Sequence, residues 1–593
     1  MNAVQQLLTN RIDIWTAAEA EKRSGRGRAS GNAASVHGIK KLRELILELA
    51  VRGMLVPQDS SDEPASELLK RIQIEKAILI AEGQIKKEKS FDPISSKEIP
   101  FQLPHGWKWV RIGQIGHDWG QKIPDCDFTY IEVSAIDNQR GVISSAELVK
   151  PEDAPSRARK LVKNGTLIYS TIRPYLLNIA VVEENFLPEP IASTAFAIVH
   201  PFCAMPPRYF LFSLRSPAFV HYVESVQMGI AYPAINDRQF FSGMIPLPPI
   251  QEQHRIVAKV DELMALCDQL EAQHSDAADA HEQLVSQLLG TLTQSQSAAD
   301  FSSNWQRIAA HFDTLFTTEV SIDVLKQTLL QLAVMGKLVA QDANDEPASE
   351  LLLRIEAQKA KLSAKGRIKN AKPLPAITEK EKPYPLPKNW DWVQLGTISE
   401  FINGDRGKNY PNKNEYVSKG IPWINTGHIE PDGTLTQLDM NYISREKFHS
   451  LNGGKIQLGD LVYCLRGATF GKTAIVDPYD EGAIASSLMI IRPSNLLSKK
   501  FMLYYLVSQT GKSQIFRFDN GSAQPNLSAN NVKLYVYPMP PVSEQQRIVA
   551  KVDDLMALCD RLRARINDAN QQQKKLADVL VEHAAKGLNQ AMI

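Results

Sequence analysis

Downstream of residue 250, apolar side chains return at alternating steps of four and three: Ile256, Val260, Leu263, Cys267, Leu270, then His274, Ala277, His281, Leu284 and Leu288. The same alternation restarts at Ile548 and runs through Val552, Leu555, Cys559, Leu562, Ile566, Ala569, Gln573, Leu576 and Leu580. Such steps keep side chains on one helical face, and their persistence predicts two long helices meeting through a coiled-coil seam. Pro248-Pro249 and Pro540-Pro541 lack backbone N–H groups, so each pair ends a strand and lets a helix begin. About 37 residues at 1.5 Å each would make a rod of roughly 55 Å. The stretches before the prolines have another rhythm. "GTLIYSTIRPYLLNIAVV" (165–182) and "GDLVYCLRGATFGKTAIV" (459–476) are short β-rich runs punctuated by Gly and Pro. "YIEVSAIDNQRGVI" and "WINTGHIEPDGTL" predict strand, turn, strand, while "RYFLFSLRSPAFVHYVES" and "KFMLYYLVSQTGKSQIF" predict helices between them.

The two rhythms occur twice because the chain repeats itself. "RIVAKVDELMALCD" at 255 returns at 547 with only Glu262 changed to Asp554. "LRELILELAVRGMLVPQDSSDEPASELLKRI" (42–72) returns as "LKQTLLQLAVMGKLVAQDANDEPASELLLRI" (325–355), and "LPHGWKWVRIGQI" (103–115) as "LPKNWDWVQLGTI" (386–398). "IPLPPIQEQHRIVAKVD" (245–261) returns as "YPMPPVSEQQRIVAKVD" (537–553). Between these borders the likeness nearly vanishes. Two similar helical frames thus hold two divergent inserts of α/β or α+β type, one task performed on two targets. In each frame "DEPASELL" predicts a helix start, with Pro in the first turn and acidic side chains at the positive end of the dipole. The predicted division is a helical frame at 1–100, a globule at 101–248, a central frame with its long helix at 249–382, a second globule at 383–540 and a terminal helix at 541–593.

Composition narrows the class. With 593 residues, 44% apolar and 22% charged, the chain suits several packed domains. The opening "MNAVQQLLTNRIDIW" has no basic segment before an apolar run, and no stretch approaches a membrane span, so a cytoplasmic chain without membrane contact is expected. Five scattered cysteines without a CxxC pair fit reduced thiols and supply no zinc site. Net charge is only +1, so any nucleic-acid ligand must be met by local patches or by partner subunits. From Lys108 to Arg238 the first insert has 13 Lys/Arg and 13 Asp/Glu; from Lys388 to Lys533 the second has 16 and 13, an excess of three positive charges.

Candidate chemistry lies in the inserts. "RGATFGKT" (466–473) resembles a phosphate-binding loop, but Gly467 stands one residue too close to the Gly-Lys-Thr run, which opposes an ATP site. Arg466 and Lys472 beside a β-run are read either as phosphate or base contacts or as a solvated turn; Arg173 is placed at the corresponding point of the first insert. "NGDRGKNYPNK" (403–413) carries Arg406, Lys408 and Lys413 around Tyr410, for phosphate clamping or groove entry or as an ordinary loop, with Lys122 as a weaker analogue. His274 and His281, one heptad apart, suit pairing register better than metal binding. Cys267 and Cys559 fall on the seam as small buried groups, and Trp107, Trp109, Trp390 and Trp392 read as frame anchors rather than base-stacking platforms. No adenosylmethionine loop of NPPY or GxGxxG type and no nuclease carboxylate–lysine cluster stands out.

With the two PLPP-type closures, the long helices that follow, the "GDLVY…R" strand and "SAQPNLS" (522–528) in view, the chain resembles the specificity subunit of Type I restriction–modification systems over nearly its whole length. The first insert departs in detail: "NGTLIYSTIR" replaces the Gly-Asp start and "GIAYPAIN" the Gln-Pro-Asn-Leu run. The resemblance implies two target-recognition globules joined by two long antiparallel helices, in a pseudo-two-fold, quasi-circular α+β arrangement. It also implies a non-catalytic subunit that reads a bipartite, asymmetric site on double-stranded DNA. Its partners would be two modification (methyltransferase) subunits carrying S-adenosylmethionine and restriction (motor/nuclease) subunits using ATP and Mg, so this chain itself would need no cofactor. The competing reading is a coiled-coil scaffold whose two globules bind proteins.

Overall fold

The structure is a computed structural model describing residues 15–16, 36–87, 90–183, 185–229, 232–296, 298–364, 373–405, 407, 409–466, 469–518 and 527–590. The chain divides into two compact units, Met1–Ala277 with Asp568–Ile593, and Ala278–Asn567.

In the first unit, helix His37–Val51 buries Ile39, Leu42, Leu45, Ile46 and Leu49, the i, i+3, i+4 spacing of an amphipathic element facing a core. It ends where Gly53 takes φ +70°, a left-handed turn that a side chain resists; a Cβ there would also stand 2.5 Å from Pro104. Helix Ala65–Ala81 follows, with Pro64 at its cap and Glu67 in its first turn. In the second unit Glu319–Val334 and Ala348–Ala364 repeat this pair, and Gly336 repeats the turn at φ +69° against Pro387.

A polar lock fastens each frame. In the first unit the Trp107 indole N–H donates to Glu252 (2.9 Å), the Gln58 amide donates to the other Glu252 oxygen (2.6 Å), and Arg255 forks onto Asp62 (2.6 and 3.3 Å). In the second, Trp390 donates to Glu544 (2.9 Å), Gln341 donates to Glu544 (2.6 Å), and Arg547 forks onto Asp345 (2.6 and 3.2 Å). The Asp before each Glu-Pro therefore holds an arginine rather than capping its helix. Trp107 and Trp390 are buried anchors, while Trp109 packs edge-on against Phe101 and Trp392 lies tilted against Tyr384.

Each insert is closed by its own two ends. Lys108–Arg111 pairs antiparallel with Met244–Leu247, and Asp391–Gln394 with Val536–Met539. Inside the first, one sheet runs Glu147–Val149, Phe128–Ile131, Pro190–Ser193, Ala158–Leu161; the other runs Gly116–His117, Phe196–Pro201, Leu167–Ser170, Ile179–Val181. The second insert repeats the latter order as Ser399–Asn403, Leu488–Pro493, Leu461–Cys464, Thr473–Ile475, and its other sheet has five strands. The sheet containing Phe128–Ile131 and the five-stranded sheet each contain one parallel pair, residues 190–192 with 129–131 and 423–424 with 483–484. The helices expected at 208–225 and 500–516 form as two consecutive segments each, turned at Ser216 and Ser508, whose hydroxyls accept from the next helix's N–H groups. Divergent sequences thus fill one topology, mainly antiparallel and α+β.

The long helices run Ile250–Gln294 and Val542–Gln590, and each unit contains the early part of one and the late part of the other. In the first unit Leu263, Cys267 and Leu270 share a core with Ala577, Leu580 and Val581. The N- and C-terminal parts of the chain meet in this unit, where His37 bonds Asp578 (3.1 Å) and Arg43 bonds Asp268 and Glu271 (2.7 Å each). In the second unit Leu555, Cys559 and Ile566 share a core with Val285, Leu289 and Leu292, and Lys326 pairs with Asp560 as Arg43 does with Asp268. The seam departs from strict heptads at two places in each copy, and at the first of these Ala277 and Ala569 are exposed. Leu284 and Leu576 are exposed, and their neighbours Val285 and Ala577 are buried instead. A helix of 3.6 residues per turn drifts about 20° per heptad, so after four heptads the buried stripe reaches the next residue. His274 is half-buried and His281 bonds the Thr314 carbonyl (3.2 Å). Cys267 and Cys559 are buried, and burial pushes both thiols up, Cys267 to about 11.

Candidate nucleic-acid interface

The loops that differ most between the inserts leave the shared sheets at matching points. In the second insert Leu461–Cys464 and Thr473–Ile475 form an antiparallel pair, closed where the Cys464 N–H donates to the Lys472 carbonyl (2.8 Å). Arg466 and Lys472 stand exposed on the two legs of the turn. A phosphate-binding loop leads from strand into helix, whereas here the Gly-Lys-Thr run enters a strand. The arrangement offers two cations at a hairpin tip and no cradle of helix N–H groups.

Nearby in sequence, the 403–413 loop is tied down by buried Asp405, whose two oxygens accept from the N–H groups of Gly407 and Asn452 (2.7 Å each). Lys413 is exposed in the one-turn helix Lys413–Glu415, and Tyr410 packs edge-on against buried Trp423. Lys447 bonds Glu415 (2.7 Å) and holds that carboxyl below its ordinary range. Arg406 and Lys408 lie outside the described residues.

In the first insert Arg173 sits between strand Leu167–Ser170 and the short helix Pro174–Leu176 with φ 49° and ψ 57°, a left-handed conformation unfavourable for a side-chain-bearing residue. Its N–H donates to the Pro233 carbonyl (2.7 Å), and its guanidinium lies over the Tyr232 ring, 4.9 Å from the centroid. The corresponding point to Arg466 is not Arg173 but its neighbour. The Ile235 N–H reaches Thr171, and the Leu527 N–H reaches Leu465, which sets Ile172 at the place of Arg466 and Arg173 one residue further on. The sequence already carries this register: aligned from Gly165 and Gly459 through Tyr169 and Tyr463, the two runs set Ile172 opposite Arg466, and the backbone bonds agree. Lys122 is turned inward on carboxylates: Glu189 at 2.6 Å and Asp125 at 3.3 Å hold its ammonium above its ordinary range, Glu189 most strongly.

A feature of this region escaped the reading of charges. Ile172, Tyr175, Leu176, Met228 and Tyr232 are all exposed, Tyr232 at 71% and Met228 at 61%. Isolated bridges from Ala234 to both Ile172 and Met228 bring the two loops together. The only sequence signal was the run "GIAYPAIN", visible as a departure from the other insert. Among the described residues no group of His, Cys, Asp and Glu is gathered to hold a metal, and no helix is long and apolar enough to cross a membrane. The inserts therefore present two different faces on one scaffold, an apolar-aromatic face with one arginine and a face with Lys413, Arg466 and Lys472.

Comparison with known proteins places these features in a family. The Type I restriction modification DNA specificity domain matches residues 105–278 and again 387–570, one match per insert with the start of each long helix. The Type I restriction enzyme EcoAI specificity subunit of Escherichia coli is 40% identical, covering 98% of this chain and all of that protein. The EcoEI specificity subunit, also of Escherichia coli, is 38% identical over the same shares. A chain from a solved structure on complex assembly and conformational transition of the type I R-M system aligns with TM-score 0.51 at 24% identity, covering 82% of this chain and 100% of that one, a likeness of fold.

Proposed function

The chain belongs to the family of Type I restriction–modification specificity subunits, whose task is DNA target recognition, and we propose that it reads a bipartite, asymmetric duplex site, one half per insert. The observation that carries this is the combination of one insert topology with two unlike loop faces, each held in the same lock. A scaffold for two copies of one protein would have no reason to differ at the loop tips while repeating the bonds of the lock. In this reading Arg466, Lys472, Lys413 and Arg173, with Arg406 and Lys408, meet phosphates and base edges. Lys122 has the weakest claim, being engaged by two carboxylates.

The same duplication suits two copies of one modification subunit. Leu266 and Leu284 are exposed on the first long helix, and Leu558 and Leu576 on the second. Leu558 stands where Leu266 does in the repeat, and Leu576 where Leu284 does. A partner that fits one of these leucines fits its repeat. The chain itself is then non-catalytic, and it directs subunits that methylate adenine, or that translocate and cleave, to the site it reads. The test is binding of the chain with its modification subunits to duplex DNA: selectivity for one split sequence, with affinity falling as salt rises, supports the reading. Equal binding to all sequences, or no DNA binding with retained protein partners, favours the scaffold.

A further inference from the structure

The first insert has an apolar group at the tip where the second has a cation, and this bears on the chemistry it can read. Its Lys/Arg and Asp/Glu are balanced at 13 each. Lys122 is held by Glu189 and Asp125, Lys160 by Asp237, Arg208 by Glu183 and Asp261, and Arg215 by the carbonyls of Asn138 and Gln139. At the hairpin position where the second insert exposes Arg466, the first exposes Ile172. Ala234 bridges Ile172 to Met228, and Tyr232 lies under the Arg173 guanidinium. The group is assembled rather than scattered. Its backbone is fixed by the Arg173-to-Pro233 bond, by the Met228–Ala234 pair (2.9 Å both ways) and by the Ile235-to-Thr171 bond (2.9 Å).

Resting on the reading of the inserts as DNA readers, we propose that Ile172, Met228 and Tyr232 form an apolar seat for the 5-methyl group of thymine in the major groove, beside Arg173. In that groove the methyl group is the one apolar mark among hydrogen-bonding edges, and apolar side chains are its natural contact. Arg173, stacked on Tyr232, keeps its fork of donors directed by the ring while its charge is neutralised by nothing in the stack. It therefore meets a guanine edge or a phosphate next to the methyl-bearing base. The second insert, with cations at the equivalent tip, reads by a different balance of contacts.

The test uses the full chain with its modification subunits, and duplexes in which each thymine of the first insert's half-site is replaced, one at a time, by deoxyuridine. This change removes one methyl group and leaves every hydrogen bond. At one thymine the affinity should fall by about fourfold, the factor equivalent to losing about 0.8 kcal/mol of buried methyl. Tyr232→Ala and Ile172→Ala should bind thymine and uracil duplexes equally at that position, whereas Tyr232→Phe should keep the preference. Deoxyuridine in the other half-site should have the same effect on variants and parent. If specific binding persists and no uracil substitution in this half-site matters, or if the alanine variants keep the full thymine preference, the methyl seat is refuted while DNA reading stands. If the parent binds no sequence selectively, the DNA reading itself fails. If the alanine variants lose their modification subunits but keep thymine preference, the patch is a protein-docking surface and the proposal is overturned.

Discussion

Glu252 and Glu544 provide a paired perturbation. Each is buried, accepts from a tryptophan indole at 2.9 Å and from a glutamine amide at 2.6 Å, and sits in the first turn of a long helix. Glu252→Ala removes two hydrogen bonds to a charged acceptor, about 1.5–3 kcal/mol each, and leaves the Trp107 indole N–H without its acceptor, while the Gln58 amide keeps only its bond to the Gly53 carbonyl. The carboxylate's own desolvation offsets part of this, so the expected net cost is about 2–4 kcal/mol. Glu544→Ala should cost the same within about 1 kcal/mol, because its distances are the same. Glu252→Gln keeps one acceptor and should cost about 1 kcal/mol. Burial raises both carboxyls above their ordinary range, against the opposing pull of the tryptophan and glutamine donors. The folded state therefore holds these protons more tightly than the unfolded state. The favourable contribution is complete below the unfolded carboxylate pKa and is lost as pH rises through the folded one. Relative to the Gln variant, the parent should become less stable across that acidic window and then level off. Hydrogen–deuterium exchange read by mass spectrometry separates the units: Glu252→Ala should speed exchange in helix Ala65–Ala81 and leave Ala348–Ala364 unchanged, with Glu544→Ala giving the reverse. Unequal costs, or exchange that rises in both helices for either variant, would refute the account of two equivalent, separate locks.

Arg466→Ala should weaken DNA discrimination by about 1–3 kcal/mol with the fold intact, while Lys122→Ala should change affinity far less because Glu189 and Asp125 already engage it; titration of target and scrambled duplexes distinguishes the two. The purified chain alone should neither hydrolyse ATP nor transfer methyl groups, as checked by phosphate release and by labelled methyl incorporation. Adding seven residues after Leu270 and seven after Leu562 should lengthen both helices by about 10 Å with only about 20° of rotation. If these helices act as an antiparallel ruler, mapped methylation sites should show the gap between half-sites widened by about one to three base pairs.

The frame was readable in the sequence because helices announce themselves locally. The 4-3 spacing, the Pro-Pro breaks and the repeated "RIVAKVD" placed both long helices, and the burial of Ile256, Val260, Ile548 and Val552 follows that pattern. The pattern failed at Ala277 and Ala569, which are exposed, and at Leu284 and Leu576, where a strict heptad was extrapolated past the point at which 3.6-residue geometry carries the stripe to the next residue. The inserts were legible as strands and helices but not as one topology, since sheet order depends on pairings such as residues 190–192 with 129–131 that leave no local trace. The candidate site was read through charge, which found Arg466, Lys472 and Lys413 exposed but could not foresee that Lys122 is neutralised by Glu189. It also passed over Met228 and Tyr232, whose exposure is set by the bridge through Ala234.

The central claim, one reader per insert, is tested most directly by exchange. Both ends of the first insert lie in adjacent strands, Lys108–Arg111 and Met244–Leu247, so residues 105–244 can be replaced by the insert of another family member, provided that the donor segment carries a tryptophan at the place of Trp107 to keep the bond to Glu252. Methylated adenines are then mapped in DNA from cells carrying the hybrid with its modification subunit. The account predicts that one half of the target changes to the donor's sequence while the other half and the gap stay as they were. A hybrid that is active but altered in both halves, or unaltered in both, would contradict it.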